Sequence, residues 1–177
     1  MYCKVEYAQS FFEGEELNFW ANKYFEALSR RSYYVFVTKG SSSLAITTAL
    51  MHGLRKPCIN IYLYKNLEEN HHDTSHFLSL IDKFLSHHCI FDLKTLPLIF
   101  VDDFIATGDT VEGVTYDIEL LNNIIKNEKG MYKDLPQLKL NTVLTHRIAG
   151  YVDEDAKENI IDRLKKLNIN NIIFLKE

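Results

Sequence analysis

The feature that most constrains the fold is an alternation of short apolar runs with helix-length segments. The runs are rich in β-branched, aliphatic and aromatic residues: YYVFV (33–37), CINIYLY (58–64), LPLIFV (96–101), NTVLT (141–145) and NIIFL (171–175). Because they are apolar almost throughout, rather than at every second residue, they predict strands that are buried on both faces. The pattern therefore predicts an α/β protein with a twisted parallel sheet of about five strands flanked by helices.

The segments between these runs are long enough for helices. GDTVEGVTYDIELLNNIIK follows the third run, and DEDAKENIIDRLKKL follows the fourth, with acids in its first turn and bases in its last. Between the second and third runs, the polar stretch 65–76 predicts a loop, and FLSLIDKFL (77–85) predicts a helix.

The amino-terminal region also has helical periodicity. Apolar residues recur there at three- and four-residue steps: Leu17, Trp20, Ala21, Tyr24, Phe25 and Leu28. The spacing predicts a stripe that packs on the core. The alternative is that Trp20 or Tyr24 stacks on a base.

Length and charge narrow the class of protein. With 177 residues the chain is expected to form a single domain over 1–177. A net charge of -4 gives no support to a nucleic-acid-binding role. Three cysteines at unrelated spacings indicate a reducing compartment, and no secretory signal or membrane-spanning run is found in the sequence. We therefore expect a cytoplasmic protein without a membrane partner.

The stretch VDDFIATGDT (101–110) carries the strongest chemical signal. Gly108 permits a tight turn, and the amides of 106–110 can surround a phosphate at the start of the following helix. Asp102 and Asp103 are placed to accept hydrogen bonds from two neighbouring sugar hydroxyls. A carboxylate pair beside a phosphate cradle implies a phosphorylated sugar, with a divalent cation to offset the negative charge.

This stretch resembles the phosphoribosyl pyrophosphate (PRPP) signature of type I phosphoribosyltransferases, in which a hydrophobic strand is followed by two acids and Thr-Gly-x-Thr/Ser. The resemblance implies an α/β core over 33–177 with a small hood or lid over 1–32. It also implies Mg²⁺-dependent transfer of 5-phosphoribosyl from PRPP to a nitrogenous base, release of pyrophosphate, and a homodimer.

The same resemblance assigns residues. Asp102 and Asp103 would bind the ribose hydroxyls, act in catalysis and assist the metal. The 5-phosphate would be held by Ala106, Thr107, Gly108, Asp109 and Thr110. The family often has glycine where this chain has Asp109, so this acid would have to point away from the phosphate or be offset by a cation.

The segment TKGSSS (38–43) stands where the family places its pyrophosphate-binding loop. Lys39, Gly40 and Ser41 would then supply a cation, a close backbone approach and further donors. The serines are also typical of a helix N-cap, and the two interpretations are compatible.

The segment LYKNLEENHHDTSH (63–76) resembles the flexible loop of these enzymes. Lys65 and His71, or His72, would neutralise pyrophosphate as it leaves. The acids Glu68 and Glu69 would repel it, and this departure from the orotate enzymes leaves catalysis open. The alternative is an ordinary solvated loop.

The segment VLTHRIAGY (143–151) is similar to the Asp-Arg-x-x-Gly segment of orotate phosphoribosyltransferases, with His146 in place of the aspartate. Arg147 would contact the acceptor base and Tyr151 would stack on it, unless Arg147 is a surface arginine beside a turn. Ala106 stands where 6-oxopurine enzymes usually place an aspartate. The acceptor is therefore not expected to be a 6-oxopurine, and Arg147 tilts it towards an orotate-like pyrimidine.

Two other functions fit parts of the sequence. A non-catalytic protein of the same fold would bind PRPP or a nucleotide as a regulator. A zinc-binding protein would use some of the side chains that metals favour, which are His72, His76, His87, His88 and Cys89.

Overall fold

The computed structural model describes residues 14–28, 30–63, 67, 71–127, 132–148, 154–169 and 171–175. The helices of these residues are α1 (Gly14–Ala27), α2 (Ser41–Gly53), α3 (His71–His87), α4 (Asp109–Asn127) and α5 (Glu154–Lys166). The strands are β1 (Tyr34–Thr38), β2 (Cys58–Tyr62), β3 (Thr95–Val101), β4 (Phe104–Ile105), β5 (Gln137–Thr145), β6 (Arg147–Ile148) and β7 (Asn171–Phe174).

The main sheet has five strands in the order β2-β1-β3-β5-β7, and every neighbouring pair is parallel. This confirms the predicted α/β fold and its parallel sheet. From β1 the chain passes outward to β2, and then returns to add β3 on the other side of β1. The strand order therefore reverses between β1 and β3, which is where open α/β sheets bind ligands, beyond the carboxyl ends of the strands.

Helices cover both faces of the sheet, as the apolar strands require. Successive side chains of β1 point to opposite faces of the sheet. Phe36 packs with α1 and α2, whereas Val37 packs with α3, α4 and α5. Both side chains are almost fully buried. The helix that follows β1 and the helix that follows β3 thus lie on opposite faces, and a crevice opens between the two strand ends.

Strand β5 begins at Gln137, four residues before the predicted start at 141. The sequence QLKL alternates exposed and buried side chains, so an apolar run does not reveal it. The register against β3 shifts after Leu140, because Asn141 is an extra residue on β5. This bulge lets Leu140 and Val143, three residues apart, point into the same core.

Helix α3 begins at His71, so the prediction of a loop over residues 71–76 is wrong. Asp73 lies in the first turn, where a carboxylate is stabilised by the helix dipole, and Thr74 is buried. The helix thus extends by more than one turn into a polar segment in which apolar periodicity gives no signal.

Helix α1 confirms the predicted core stripe in most of its members. Trp20, Tyr24 and Leu28 are buried, whereas Phe25 is 49% exposed and lies off that face. Among the residues described, no helix is both long enough and apolar enough to cross a membrane.

Candidate active site

The acidic pair lies at the reversal of strand order. Asp102 and Asp103 directly follow β3, and Lys39 and Gly40 directly follow the neighbouring β1. The Asp102 amide also donates to the carbonyl of Leu144, on the other neighbour of β3, at 3.0 Å. Backbone pairing on both sides therefore fixes the acids at the carboxyl edge of the sheet.

Two serines of α2 bind the two carboxylates. Ser43 Oγ donates to Asp102 Oδ1 at 3.0 Å, and Ser42 Oγ donates to Asp103 Oδ1 at 2.7 Å. Helix α2 has Gly40 as its N-cap, without a side-chain cap hydrogen bond. These serines therefore bind the acids that follow β3 and do not cap their own helix.

The two carboxylates affect each other's charge. Burial, together with the adjacent charge of Asp103, raises the pKa of Asp102 to about 7, against the opposing effect of the hydrogen bond from Ser43. A pair of partly buried carboxylates that repel in this way gains stability from a proton or a cation. The hard oxygen ligands of this pair suit Mg²⁺.

The raised pKa predicts a particular pH dependence of stability. The folded protein keeps the Asp102 proton to higher pH than the unfolded chain, so this contribution is present below about pH 4 and is lost as pH rises through about 7. Asp102→Asn should remove this pH-dependent loss of stability, because an amide does not titrate. We expect its unfolding free energy relative to wild type to rise by about 2 kcal/mol between pH 5 and pH 8.

Urea denaturation of both proteins at the two pH values measures this difference, in which the titration of groups other than the adjacent Asp103 largely cancels. A difference that does not change with pH would show that Asp102 titrates normally in the folded protein.

The turn before α4 combines a glycine of positive φ with the start of a helix. Gly108 has φ of +90°, a conformation that other residues rarely adopt, and α4 begins at the next residue. Thr107 and Thr110 are exposed, and the Asp109 amide donates to Thr107 Oγ1 at 3.3 Å. The amino end of α4 thus lies at the carboxyl edge of the sheet, where helix amides can stabilise an anion.

Arg163 of α5 offsets the unusual acid in this turn. Its Nη2 lies 2.7 Å from Asp109 Oδ1, it also pairs with Glu112, and its Nη1 donates to the Thr107 carbonyl at 3.0 Å. Hydrogen bonds from Thr107 and Arg163 lower the pKa of Asp109. Arg163, a residue that the sequence analysis did not select, thus places a cation beside Asp109.

Removal of this cation tests the sequence prediction that the turn holds the 5-phosphate of PRPP. On that prediction, the charge of Asp109 in Arg163→Met is no longer balanced and would repel the phosphate, so we expect PRPP to bind about tenfold more weakly. Asp109→Asn in the same background should restore affinity, whereas Lys165→Met, on the same helix, should have little effect. Calorimetric titration with PRPP measures all three, and a loss that Asp109→Asn fails to restore would refute the explanation.

Lys39 is directed towards α4. Its Nζ lies 3.5 Å from Oδ2 of Asp117, a residue that is only 1% exposed. The other oxygen of Asp117 accepts a hydrogen bond from the Leu67 amide at 3.0 Å. Lys39 therefore stands beside the crevice, but a pyrophosphate bound there would have to compete with Asp117 for it.

Helix α1 closes one side of the site. The ring of Trp20 stacks on His146, with 4.0 Å between ring centroids, and both side chains are buried. The hydroxyl of Tyr24 lies 2.9 Å from His146 Nδ1 and donates to the Asp102 carbonyl at 3.3 Å. Burial, with the charges of Asp103 and Asp102, raises the pKa of Tyr24. These contacts make Trp20 and Tyr24 core residues and not an exposed base platform.

The remaining predicted site residues fall near the crevice or outside the described part of the chain. The backbone of Arg147 pairs with Phe104 in the parallel ladder β4–β6, one residue beyond the acidic pair. His71 is the first residue of α3, and Ala106 is exposed. Lys65 and Tyr151 lie outside the described residues.

The residues of the zinc hypothesis do not converge where they are described. His76 and His87 are eleven residues apart on α3, which corresponds to about 16 Å along the helix. Across the described ranges, no group of three or more histidine, cysteine, aspartate or glutamate side chains is arranged to hold a metal ion.

Comparison with known proteins supports the fold. No protein-family model matches the sequence, and no curated protein matches it either. An adenine phosphoribosyltransferase from Thermoanaerobacter pseudethanolicus has a similar structure, with a TM-score of 0.52 and 13% sequence identity. The match covers 93% of this chain and 81% of that protein. The chain therefore has a type I phosphoribosyltransferase-like fold.

Proposed function

We propose that this protein is a Mg²⁺-dependent phosphoribosyltransferase that transfers 5-phosphoribosyl from PRPP to a nitrogenous base. The observation that carries the proposal is the acidic pair at the reversal of strand order, Asp102 and Asp103, held by Ser42 and Ser43. Beside it lies the Gly108 turn at the start of α4. Carboxylates for a sugar and helix amides for a phosphate thus occur within one strand–turn–helix unit.

In this proposal each part of the site has one task. Asp102 and Asp103 accept hydrogen bonds from the ribose hydroxyls, which fixes the sugar ring. The amides of 106–110 hold the 5-phosphate, and Arg163 keeps the charge of Asp109 away from it. Contacts to both the ribose hydroxyls and the 5-phosphate fix the orientation of C1. This orientation lowers the barrier to reaction.

The reaction breaks the bond between C1 and the pyrophosphate oxygen and forms a bond from C1 to a ring nitrogen of the base, whose N–H proton passes to the departing pyrophosphate or to water. Mg²⁺, held largely through PRPP with help from Asp102 and Asp103, would offset the charge of the leaving pyrophosphate. Lys39, Gly40 and Ser41 after β1 would bind that pyrophosphate, with Lys65 and His71 as further cations. Tyr24, which also contacts His146, holds the backbone of Asp102 in place through its carbonyl.

The acceptor base is proposed from the residues that the sequence analysis selected. Ala106 offers no acid or base group to a 6-oxopurine. Arg147, whose backbone lies beside Phe104, would contact a carbonyl or carboxylate of an orotate-like pyrimidine, and Tyr151 would stack on its ring. The fold neighbour is an adenine enzyme, so adenine belongs in any panel of acceptors.

Release of pyrophosphate from PRPP and Mg²⁺, measured against a panel of pyrimidine and purine bases, tests the proposal. We expect release with one class of base, none with 6-oxopurines, and none after chelation of Mg²⁺. No release with any nitrogenous base would contradict a transferase function.

A second function is favoured by the ion pair of Lys39. Because Nζ of Lys39 already contacts the buried Asp117, the cation expected to meet pyrophosphate is engaged elsewhere. A protein that binds PRPP as a regulator, without transferring it, has no need of that cation. Tight PRPP binding by calorimetry, without pyrophosphate release, would identify this function.

A further inference from the structure

A basic pocket lies at the amino ends of β1 and β2, whereas the acidic pair lies at the carboxyl ends of the strands. It has a volume of about 590 Å³, and its lining includes Arg30, Arg31, Arg55, Lys56 and the exposed ring of Phe25. We call this concavity the basic pocket. Neither the sequence motifs nor the proposed transfer reaction uses any of these residues.

The fold brings two separate turns together to form the basic pocket. Residues 30–31 belong to the turn between α1 and β1, and residues 55–56 to the turn between α2 and β2. Tyr34 and Cys58, the first residues of the two strands, are register partners, and the Tyr34 amide donates to the Pro57 carbonyl at 3.0 Å. The four cationic residues are therefore held side by side by backbone hydrogen bonds.

Among the described residues, no neighbouring acid balances these charges. Within the described part of the chain, none of the four cationic side chains forms an ion pair with a carboxylate, and the lining of the pocket contains no acid. The whole chain carries a net charge of -4, so the positive charge is a local concentration. Like charges around one concavity repel each other, and a bound anion removes that repulsion.

We propose that the basic pocket binds a nucleoside triphosphate. Arginine side chains bind phosphate oxygens in a bidentate manner, and three consecutive phosphates would engage the four cations together, whereas PRPP has at most two consecutive phosphates and no base. Phe25, which is 49% exposed, offers a flat apolar surface to the rest of the ligand. The volume lies within the range of about 300–1,000 Å³ that is typical of small-molecule sites.

A small ligand fits these observations better than a nucleic acid. The cations surround one concavity instead of forming an extended stripe, and the net negative charge of the chain would repel a long polyanion. Because the basic pocket and the acidic pair lie at opposite ends of the strands, PRPP and the nucleoside triphosphate should bind at the same time. The inference therefore stands independently of the proposed transfer reaction.

Calorimetric titration of the full chain with ATP and GTP tests this site. The double variant Arg55→Ser/Lys56→Ser should bind the nucleotide at least about tenfold more weakly, because two charge-assisted contacts are lost. The control Lys165→Ser/Lys166→Ser removes the same charge from an exposed face of α5 and should leave the affinity unchanged. Circular dichroism melting confirms that each variant folds.

Two further titrations separate the sources of affinity. Phe25→Ala should weaken nucleotide binding several-fold but leave the binding of inorganic tripolyphosphate unchanged. Saturating PRPP should not displace the nucleotide. The proposal is overturned if no nucleotide binds, if both double variants lose affinity equally, if PRPP competes, or if a single-stranded oligonucleotide binds more tightly than the nucleotide.

Discussion

Asp102→Asn/Asp103→Asn is expected to weaken the Mg²⁺-dependent binding of PRPP by at least about 100-fold. Hydrogen bonds from sugar hydroxyls to a charged carboxylate contribute about 1.5–3 kcal/mol each, and both are reduced when the acids become neutral amides. The amides also lose the charge that attracts a divalent cation. Isothermal titration with PRPP, with and without Mg²⁺, measures the affinity of the variant and of the wild type.

The variant should fold at least as well as the wild type, because the repulsion between the two carboxylates is removed and Ser42 and Ser43 can still donate to amide oxygens. The matched control is Asp92→Asn/Asp134→Asn, which removes two exposed acids away from the crevice and should bind PRPP normally. Equal binding by the variant and the wild type would mean that the acidic pair does not hold the sugar.

Trp20→Ala is expected to lower the free energy of unfolding by about 3–5 kcal/mol, the usual cost of removing a buried aromatic ring. Trp20 is 2% exposed and covers the ring of His146, which in turn contacts Tyr24 beside the carbonyl of Asp102. Loss of the indole would therefore leave a cavity next to the acidic pair. Chemical denaturation measures the change in stability.

The neighbouring residue supplies the control. Phe19 is 45% exposed, so Phe19→Ala should cost less than about 1 kcal/mol. If Trp20 instead served as an exposed platform for a base, Trp20→Ala would lose little stability and would weaken base binding. That result would contradict the packing of α1 over the site.

The sheet was predictable because its strands are largely apolar: β1 and most of β3 are buried on both faces, and the edge strands β2 and β7 are partly buried. The same criterion missed the first four residues of β5, where Gln137 and Lys139 are exposed and only the alternate residues are buried. It also missed the start of α3 at His71, since the first turn of that helix is polar. An apolar run or an apolar periodicity therefore reveals a strand or a helix only where that part of the segment packs into the core.

The candidate site was predictable where its residues are close in the chain. Asp102, Asp103 and the Gly108 turn belong to one strand–turn–helix unit, and the spacing of their sequence is sufficient to group them. Ser42 and Ser43 bind the acids from about sixty residues away, and Arg163 reaches Asp109 from α5. Such contacts depend on strand order and helix packing, which the spacing of residues in a single sequence does not specify.

The measurement that most directly tests the central claim is a crystal structure of the protein with PRPP and Mg²⁺. Our account predicts that the ribose hydroxyls lie within about 3 Å of the carboxylates of Asp102 and Asp103, and that the 5-phosphate contacts the amides of 106–110. Binding of PRPP at another place, or a complex in which its sugar does not contact the acidic pair, would contradict it.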